Sequence, residues 1–403
     1  MIAYFLRTAT ASVIACGTAM RATCRANLLG EGHMTYTIVS TYPVEGTKNI
    51  GDRLIEYCTK RLVEDVKGAT EYFTVFRADD LDSKVREMND TAAVIFACLA
   101  IRRDMVPKVY NMKTAVDQVR VPFVPLASGT SLRTAELAVD GLGARTEFDS
   151  GTAEFVRAIA RRAEVFSCRG EATYNAVRSF GVGNAAMTGD VAFYERRFDG
   201  LRFKARRGID RIAISTPHQP QIYADQFYAL VERCAETFPQ AERVIVVHGL
   251  SEWLDAGRVE ASGATIRDIF AEDLEALDVY SDFDVHIGYR VHGHVSALKR
   301  RVPSYILATD GRGYDYGMTL RLGTIWNAWR VVPSIRIVPA DEGETGTPKR
   351  EARLLTRADM DVVDYMLDVV KRDENDGFDR FLGFEHEIEK IGRRLVEFVE
   401  LMP

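Results

Sequence analysis

Residues 282–307 read DFDVHIGYRVHGHVSALKRRVPSYIL, and this stretch decides the fold. DVHIG has the apolar character of a short buried strand, HVSALKRR has apolar residues at helical spacing, and PSYILA is again an apolar strand. A strand, a helix and a second strand in this order form the crossover unit of a parallel sheet. The stretch therefore predicts an α/β protein.

The junction between that strand and that helix carries three cationic or titratable side chains, Arg290, His292 and His294. Residues two apart in an extended backbone share a face, so we expect Arg290 and His292 to point into a cleft together and the helix to turn His294 away. Gly293 favours a sharp turn or a close backbone approach. An arginine fork beside a histidine suits a small anion. A surface arginine and a helix-capping histidine are the simpler alternative.

The same alternation of strand and helix patterns runs along the chain from Met34. A first series begins with YTIVST and NIGDRLIEYCTKRLVEDV, and a second begins with RIAIST and DQFYALVERCAETF after the charged linker ERRFDGLRFKARRGID. We predict two doubly wound Rossmann-like domains, residues 34–200 and 208–345, that face each other across a cleft. Ligands of such folds bind at the carboxyl ends of the strands, beside helix N-termini.

The two ends of the chain have different patterns. Residues 1–33 are mildly apolar, are interrupted by Arg7 and lack a clear cleavage site, so we interpret them as a loose leader or a mis-assigned start. Residues 356–403 are predicted to form C-terminal helices. The last helical pattern, EHEIEKIGRRLVEFVELM, is amphipathic. Packing on the chain is the preferred interpretation, while homo-oligomer formation and contact with a membrane surface stay open.

Composition narrows the function classes. The 403 residues carry a net charge of −6 with acidic and basic residues mixed, which does not favour a nucleic-acid-binding face. The six cysteines are scattered without a CxxC pair, as expected of reduced thiols in a cytoplasmic protein. Neither a phosphate-loop nor a dinucleotide-binding signature follows a strand.

A metal site is not supported by the sequence. DFD, with Asp282 and Asp284, resembles an acidic metal motif, but it precedes a buried strand and so lies at the wrong end of the sheet. We interpret it as a polar loop. No other clustered carboxylates and no Cys/His ligand spacing occur, so we expect no metal and a metal-independent reaction.

Arg169 is a second arginine at a strand end. In SCRGEATYNAVRSFGV it follows a short strand and precedes a helix, which mirrors the placement of Arg290 in the other half. One arginine from each lobe would hold opposite ends of an anion. Pairing of Arg169 with Glu171 or another acid is an equally good interpretation.

Other candidates for the cleft lie in the loops after strands. Asn49 and Asp52 are suited to cap the first helix, and Gly51 lets backbone N–H groups approach a ligand, although capping alone explains these residues. His218 and His248 each follow a strand of the second domain. These five residues complete the cleft predicted from position alone.

Three of these segments together resemble the polysaccharide pyruvyl transferase family. They are NIGD at the first helix, SCRGEATYNAVRSFGV followed by TGDVAF, and DVHIGYRVHGHVSALKRRVPSYIL, whose strand–Arg–x–His–Gly–helix–Pro block is the most specific. The resemblance spans roughly residues 35–310 and implies a GT-B-like fold of two lobes. Arg290 and His292 match the family's donor-binding arginine and histidine.

The sequence also departs from the pattern of that family. Gly170 and Thr173 stand where the family often has an aspartate and a serine, and Arg312 stands where a lysine commonly follows the strand after the proline. Arg169 matches the arginine that precedes the first-lobe helix. The resemblance implies that Arg169, Arg290, His292 and Gly293 bind the donor, and Arg312 joins the residues expected in the cleft.

The resemblance implies an enzyme that moves pyruvate from phosphoenolpyruvate onto a sugar diol as a ketal. Phosphoenolpyruvate is then the donor substrate and no separate cofactor is needed. The acceptor is expected to be a glycan or a lipid-linked sugar of exopolysaccharide biosynthesis, handled in the cytoplasm or at the inner face of the membrane. Two alternatives stay open: a GT-B glycosyltransferase that uses a nucleotide sugar, and a non-catalytic anion-binding protein of the same fold.

Overall fold

The computed structural model describes residues 34–43, 49–68, 70–130, 148–270, 273–338 and 349–403. The predicted leader at residues 1–33 and the predicted boundary at residue 345 lie outside the described residues. The described residues form two α/β lobes, each organised around a parallel sheet.

The N-terminal lobe is built on parallel strands. Its described strands are β1 (Met34–Ser40), β2 (Thr70–Phe76), β3 (Val94–Ala97), β4 (Ala100–Ile101), β5 (Phe123–Leu126), β6 (Gly129–Thr130), β7 (Phe166–Cys168) and β8 (Ala185–Met187). The main sheet has the order β2-β1-β3-β5, and β4 pairs with β6 and β7 with β8. All residues of β3 are buried, as expected of a strand covered on both faces.

Helices cover this sheet. Those described are α1 (Ile50–Lys67), α2 (Val85–Asn89), α3 (Ala115–Gln118), α4 (Ser150–Arg161) and α5 (Glu171–Ser179), with 3-10 turns at Asp82–Lys84, Val191–Phe193 and Arg196–Phe198. The apolar positions that predicted α1 are buried. The side chain of Asn49 caps α1 by accepting a hydrogen bond from the Gly51 N–H at 3.0 Å.

The C-terminal lobe contains a six-stranded parallel sheet among the described residues. Its strands are β9 (Arg211–Ser215), β10 (Glu242–Val247), β11 (Ala264–Asp268), β12 (Val285–Gly288), β13 (Ser304–Ala308) and β14 (Ile325–Asn327). Its helices are α6 (Pro220–Thr237), α7 (Ala256–Ala261), α8 (Val291–Lys299) and α9 (Gly311–Leu320), with a 3-10 segment at Leu274–Asp282. The predicted unit of strand, helix and parallel strand in residues 282–307 is confirmed as β12, α8 and β13.

The strand order of this sheet is β11-β10-β9-β12-β13-β14. The chain builds outward from β9 in one direction and then from β12 in the other, so the order reverses between β9 and β12. Ligands of doubly wound sheets bind outside the carboxyl ends of the strands at such a switch point. The corner that follows β12 carries Arg290, so this arginine lies at the switch point of its lobe.

A hairpin and two helices follow the second sheet. The hairpin pairs β15 (Trp329–Val338) with β16 (Lys349–Ala358), and the helices are α10 (Asp361–Asn375) and α11 (Glu385–Glu400), with a 3-10 turn at Asp379–Phe381 between them. The sequence pattern did not indicate the hairpin. α11 packs on the N-terminal lobe through a buried apolar face, so its predicted packing on the chain is confirmed. Beyond it, the hydroxyl of Tyr36 donates to the Pro403 carbonyl at 2.6 Å.

Several polar contacts join the lobes, including one at Asp315 and one at Lys299. The carboxylate of Asp315 in α9 accepts hydrogen bonds from the Ala172 N–H at 2.8 Å and the Thr173 hydroxyl at 2.5 Å, so a residue of the C-terminal lobe caps α5 of the N-terminal lobe. The ammonium group of Lys299, at the end of α8, pairs with Glu195 of the linker, and its side chain is 1% exposed. Both contacts depend on residues far apart in the chain.

We expect Glu195→Gln to lower the free energy of unfolding by about 3–5 kcal/mol, because it leaves the buried charge of Lys299 without its carboxylate. Urea denaturation at neutral pH measures the change. Glu387→Gln is the matched control, since Glu387 pairs with Lys390 on the surface of α11, where such a pair contributes about 0–1 kcal/mol. Equal loss in both variants would contradict a stabilising role for the buried pair.

Candidate active site

Arg290 is the N-cap residue of α8, and backbone carbonyls hold its guanidinium group. Nε donates to the Thr216 carbonyl at 2.8 Å and Nη2 to the Pro217 carbonyl at 3.3 Å. Among the residues that the structure describes, no carboxylate lies within ion-pair distance of it. Burial and the nearby charge of Arg312 lower the pKa of Arg290 to about 10. Arg290 is therefore charged at neutral pH, and its charge lacks a carboxylate partner in this part of the chain.

His292 is the second residue of α8 and touches the other lobe. A Cβ added to Gly51 at the start of α1 would lie 2.1 Å from His292 Nδ1, so the ring is pressed against the α1 backbone. The residue is 8% exposed, and its Nε2 is buried without a hydrogen-bond partner in the described protein. Burial lowers the pKa of His292, against the opposing charges of Asp190 and Asp52. The ring is thus neutral at pH 7.

The N-termini of α1 and α8 meet at this contact. N-terminal turns present unpaired backbone N–H groups and the positive end of the helix dipole, which favours anions. Asn49 caps α1, as the sequence allowed, and Asp52 lies half-buried in its first turn. Although burial dominates the pKa shifts of Arg290 and His292, the charge of Asp52 acts to raise both pKa values, so Asp52 lies within electrostatic reach of both residues.

Arg312 joins this space from the start of α9. Its guanidinium forms a two-pronged pair with Asp310, with Nη2 to Oδ2 at 2.6 Å and Nε to Oδ1 at 3.1 Å. Burial opposes ionisation of Asp310, but Arg312 holds the pKa of that carboxyl down at about 2. Asp310 thus fixes Arg312 and offsets its charge, whereas Arg290 has no such carboxylate among the described residues.

Two residues of this cluster were missed at the sequence level, Asp310 and Arg102. Arg102 directly follows β4, in the N-terminal lobe. Burial lowers its pKa, and the charges of Arg77 and Arg312 lower it further, so it lies within electrostatic reach of the C-terminal lobe. Its position after a short apolar strand was the available signal, the same one that singled out Arg169.

The two other histidines predicted to line the cleft occupy different positions. His218 has more than a third of its surface exposed, yet loss of hydration and the charges of Arg312 and Arg290 lower its pKa to about 4. His248 is buried in the C-terminal lobe, where Nε2 lies 2.6 Å from the Tyr280 hydroxyl. Burial holds the pKa of His248 well below its usual range. His218 is therefore the one of the two with solvent access.

Arg169 is 5% exposed and lies between the lobes. Nη2 donates to the Thr130 carbonyl at 2.9 Å, and the guanidinium lies 3.9 Å from Asp190 Oδ2 and 3.7 Å from Asp315 Oδ2. The sequence analysis left open that Arg169 pairs with Glu171 or with another acid. The structure shows Arg169 beside two aspartates rather than beside Glu171. Donor binding by Arg169 stays a prediction.

Of the two roles predicted for Gly293, a sharp turn or a close approach, the structure shows the close approach. Gly293 lies inside α8, where an added Cβ would be 2.7 Å from the Tyr280 hydroxyl and 3.3 Å from His286 Nε2, so the missing side chain allows close packing of the helix. The turn occurs at Gly288, whose φ is +136° and whose Cα faces Ser215. Helix formation begins at Val291, which leaves no irregular backbone at Gly293.

His294 is buried in the core, so the helix turns it away from the cleft as predicted. In the DFD segment, the carboxylate of Asp284 accepts hydrogen bonds from the backbone N–H groups of Asp210 and Arg211 at the start of β9. The interpretation of DFD as a polar loop is therefore confirmed. Within the described ranges, no group of three His, Cys, Asp or Glu side chains is placed to hold a metal ion. The helices of those ranges include none that is both long and apolar enough to cross a bilayer.

Comparison with solved structures identifies the fold. UDP-N-acetylglucosamine 2-epimerase from Rickettsia bellii superposes with a TM-score of 0.50 at 10% identity, over 91% of this chain and 96% of that one. UDP-GlcNAc 2-epimerase from Neisseria meningitidis superposes with a TM-score of 0.48 at 10% identity, over 91% of this chain and 99% of that one. S. aureus TarM superposes with a TM-score of 0.45 at 11% identity, over 89% of this chain and 60% of that one. The fold is the GT-B-like arrangement of two Rossmann-like lobes.

Sequence comparison identifies the family. No curated protein matches this chain in sequence. The family model for polysaccharide pyruvyl transferase matches residues 49–311, which begin at the cap of α1 and end at the start of α9. The match therefore includes Gly51, Arg169, Arg290 and His292. The chain belongs to the polysaccharide pyruvyl transferase family.

Proposed function

We propose that the protein transfers pyruvate from phosphoenolpyruvate to two hydroxyl groups of a sugar, forming a cyclic ketal. Family membership supports the reaction class. The observation that carries the proposal is the contact of His292 with Gly51, which brings two helix N-termini and the Arg290 guanidinium to one site. A small, multiply charged anion matches that site.

In this proposal, Arg290 binds the donor's phosphate or carboxylate. Its guanidinium is oriented by the Thr216 and Pro217 carbonyls, and no carboxylate of the described chain competes for it. The first turn of α8 contributes backbone N–H groups, and both helices contribute the favourable ends of their dipoles, since Asn49 already accepts from the Gly51 N–H of α1. Arg312 lies within electrostatic reach of Arg290 and adds a second positive charge, which its pair with Asp310 partly offsets.

The reaction proceeds in two additions. A proton adds to the methylene carbon of phosphoenolpyruvate, and the first sugar hydroxyl forms a C–O bond to the adjacent carbon, losing its proton. The bond from that carbon to the phosphate oxygen then breaks, and inorganic phosphate leaves with the bonding electron pair. The second hydroxyl bonds to the same carbon and loses its proton, which closes the ketal.

His292 acts on the leaving phosphate. Its Nε2 is buried without a hydrogen-bond partner in the described protein, and burial keeps the ring neutral, so a proton on Nε2 would be donated as a hydrogen bond to the phosphate oxygen. Help of this kind contributes roughly 10²–10⁴-fold to a rate. Stabilisation of the departing charge by Arg290 adds to it without any proton transfer.

The remaining parts of the proposal follow the reaction class. The donor is a substrate and the residues named above do the chemistry without a metal or separate cofactor. The acceptor is a glycan or a lipid-linked sugar of surface or exopolysaccharide biosynthesis, and the enzyme works in the cytoplasm, at the inner face of the membrane where the acceptor is lipid-linked.

Ligand-induced stabilisation separates this proposal from a nucleotide-sugar glycosyltransferase. We expect phosphoenolpyruvate to raise the melting temperature, because a ligand at 100 times its Kd adds about 2.7 kcal/mol to the free energy of unfolding. Thermal unfolding is followed with phosphoenolpyruvate, with UDP and CMP, and with sulfate as a control for general anion effects. Stabilisation by a nucleotide but not by phosphoenolpyruvate would favour the glycosyltransferase.

Arg290→Ala is expected to lower phosphate release from phosphoenolpyruvate by on the order of 10²–10³-fold in the presence of a sugar acceptor. The assay uses a broad acceptor panel and measures inorganic phosphate. Arg258→Ala is the matched control, because Arg258 pairs with Glu232 on the surface of the same lobe. Equal rates for Arg290→Ala and the unmodified protein would remove Arg290 from the mechanism. Donor binding without phosphate release for any acceptor would indicate a non-catalytic binding protein.

Gly51→Ala tests the contact between the lobes. Alanine favours a helix over glycine by about 1 kcal/mol, so α1 itself is not weakened. The new methyl group would occupy the position of His292 Nδ1, however, and we expect the displaced ring to cost about 10²-fold in kcat/KM. Gly183→Ala is the control, since a Cβ there meets nothing within 4 Å. Full activity of Gly51→Ala would contradict the role of this contact.

A further inference from the structure

Four buried polar side chains, His294, Ser304, His286 and Ser215, form a continuous hydrogen-bond chain across the C-terminal lobe beneath the switch point. His294 Nδ1 and His286 Nδ1 each lie 2.7 Å from the Ser304 hydroxyl oxygen, and His286 Nε2 lies 2.9 Å from the hydroxyl oxygen of Ser215. All four residues are fully buried. The proposed reaction uses none of them, and a buried polar group retained in a core otherwise costs stability.

The hydrogen atoms of this chain can be assigned from the end at Ser215. Its hydroxyl oxygen accepts two backbone hydrogen bonds, from the Tyr289 N–H at 3.0 Å and the Arg290 N–H at 3.1 Å. A hydroxyl oxygen has two acceptor lone pairs, so both are occupied. The Ser215 hydroxyl must then donate its own hydrogen to His286 Nε2.

This assignment determines the hydrogen positions of His286, Ser304 and His294 in turn. His286 accepts at Nε2 and, because burial holds its pKa well below the usual range, it is neutral and carries its proton on Nδ1. Nδ1–H therefore donates to Ser304, which donates in turn to His294 Nδ1. His294 is left with its proton on Nε2, the nitrogen that has no partner in the described protein. The two histidines are thus opposite tautomers.

The chain ends on the corner that holds Arg290. Arg290 caps α8 without a side-chain hydrogen bond of its own, and Ser215 on β9 supplies the acceptor for the backbone N–H groups of the corner. The two residues after Ser215 supply the carbonyls that hold the guanidinium. One short segment, residues 215–217, therefore fixes both the backbone and the side chain of Arg290.

We propose that Ser215, His286, Ser304 and His294 are positioning residues that form a hydrogen-bond chain of a single direction and hold Arg290 in its donor-binding geometry. The proposal rests on the proposed function for the identity of the donor. The chain keeps the Ser215 oxygen available as an acceptor, because its hydrogen is always engaged by His286. If the hydrogen bonds ran in the opposite direction, Ser215 would have to accept a third hydrogen bond, and its own hydrogen would have no acceptor.

The tautomers test the direction without any assay of activity. Nitrogen-15 NMR of the histidine-labelled protein distinguishes Nδ1–H from Nε2–H. We expect His286 as the Nδ1–H form and His294 as the Nε2–H form at neutral pH, with assignments from His286→Gln and His294→Gln. Both histidines in the Nε2–H form, or a protonated ring at either position, would overturn the chain.

Paired substitutions test the positioning role. His286→Gln retains an acceptor and a donor on one side chain, and we expect KM for phosphoenolpyruvate to stay within about threefold. His286→Leu retains neither, and we expect KM to rise about tenfold or more with a smaller change in kcat, because the Ser215 hydrogen is left unpaired. Ser304→Ala, which interrupts the chain between the two histidines, is expected to raise KM as well and serves if His286→Leu does not fold.

An unchanged KM in folded His286→Leu or Ser304→Ala would overturn the positioning role. Failure of the proposed function would look different: the unmodified protein would release no phosphate from phosphoenolpyruvate with any acceptor, while the NMR experiment would still report the tautomers. In that case, the affinity of the unmodified protein and the His286 variants for inorganic phosphate replaces KM, with the same expected order and the same overturning result.

Discussion

The close approach of the His292 ring to the Gly51 backbone is the contact on which the site depends. Each lobe alone presents the positive end of one helix dipole. Only when the lobes meet do the first turns of α1 and α8 face a common space together with Arg290. A side chain at position 51 would keep them apart, so the smallest residue of the site sets its geometry.

The lobes are held in this arrangement by polar contacts, and one of them relates to a departure from the family pattern. A Cβ at Gly170 would lie 2.4 Å from Asp315 Oδ1, so a carboxylate from the other lobe fills the space beside the position at which the resemblance implies an aspartate. That carboxylate caps α5, bonds Thr173 and lies beside Arg169. Gly170 and Thr173 are therefore consistent with a retained negative charge at this position.

Much of the fold could be predicted from the sequence because parallel strands buried on both faces leave continuous apolar runs. Arg290 and His292 could be found because they directly follow such a run. The sequence left a turn and a close approach open for Gly293, because Gly288 and Gly293 flank the corner and only the backbone shows that the positive φ lies at Gly288. Asp315 could not be found, because a cap supplied by the other lobe leaves no local signal.

Arg169 and Arg290 each follow a strand in the sequence, but their charges are balanced differently in the structure. Arg169 is surrounded by Asp190 and Asp315, so its charge is offset inside the protein and serves to join the lobes. Arg290 is bonded to neutral carbonyls, which orient a guanidinium without reducing its charge. Burying such a charge costs free energy that a bound anion recovers. The attraction for an anion is therefore concentrated at the start of α8, where a bound anion would offset the charge of Arg290.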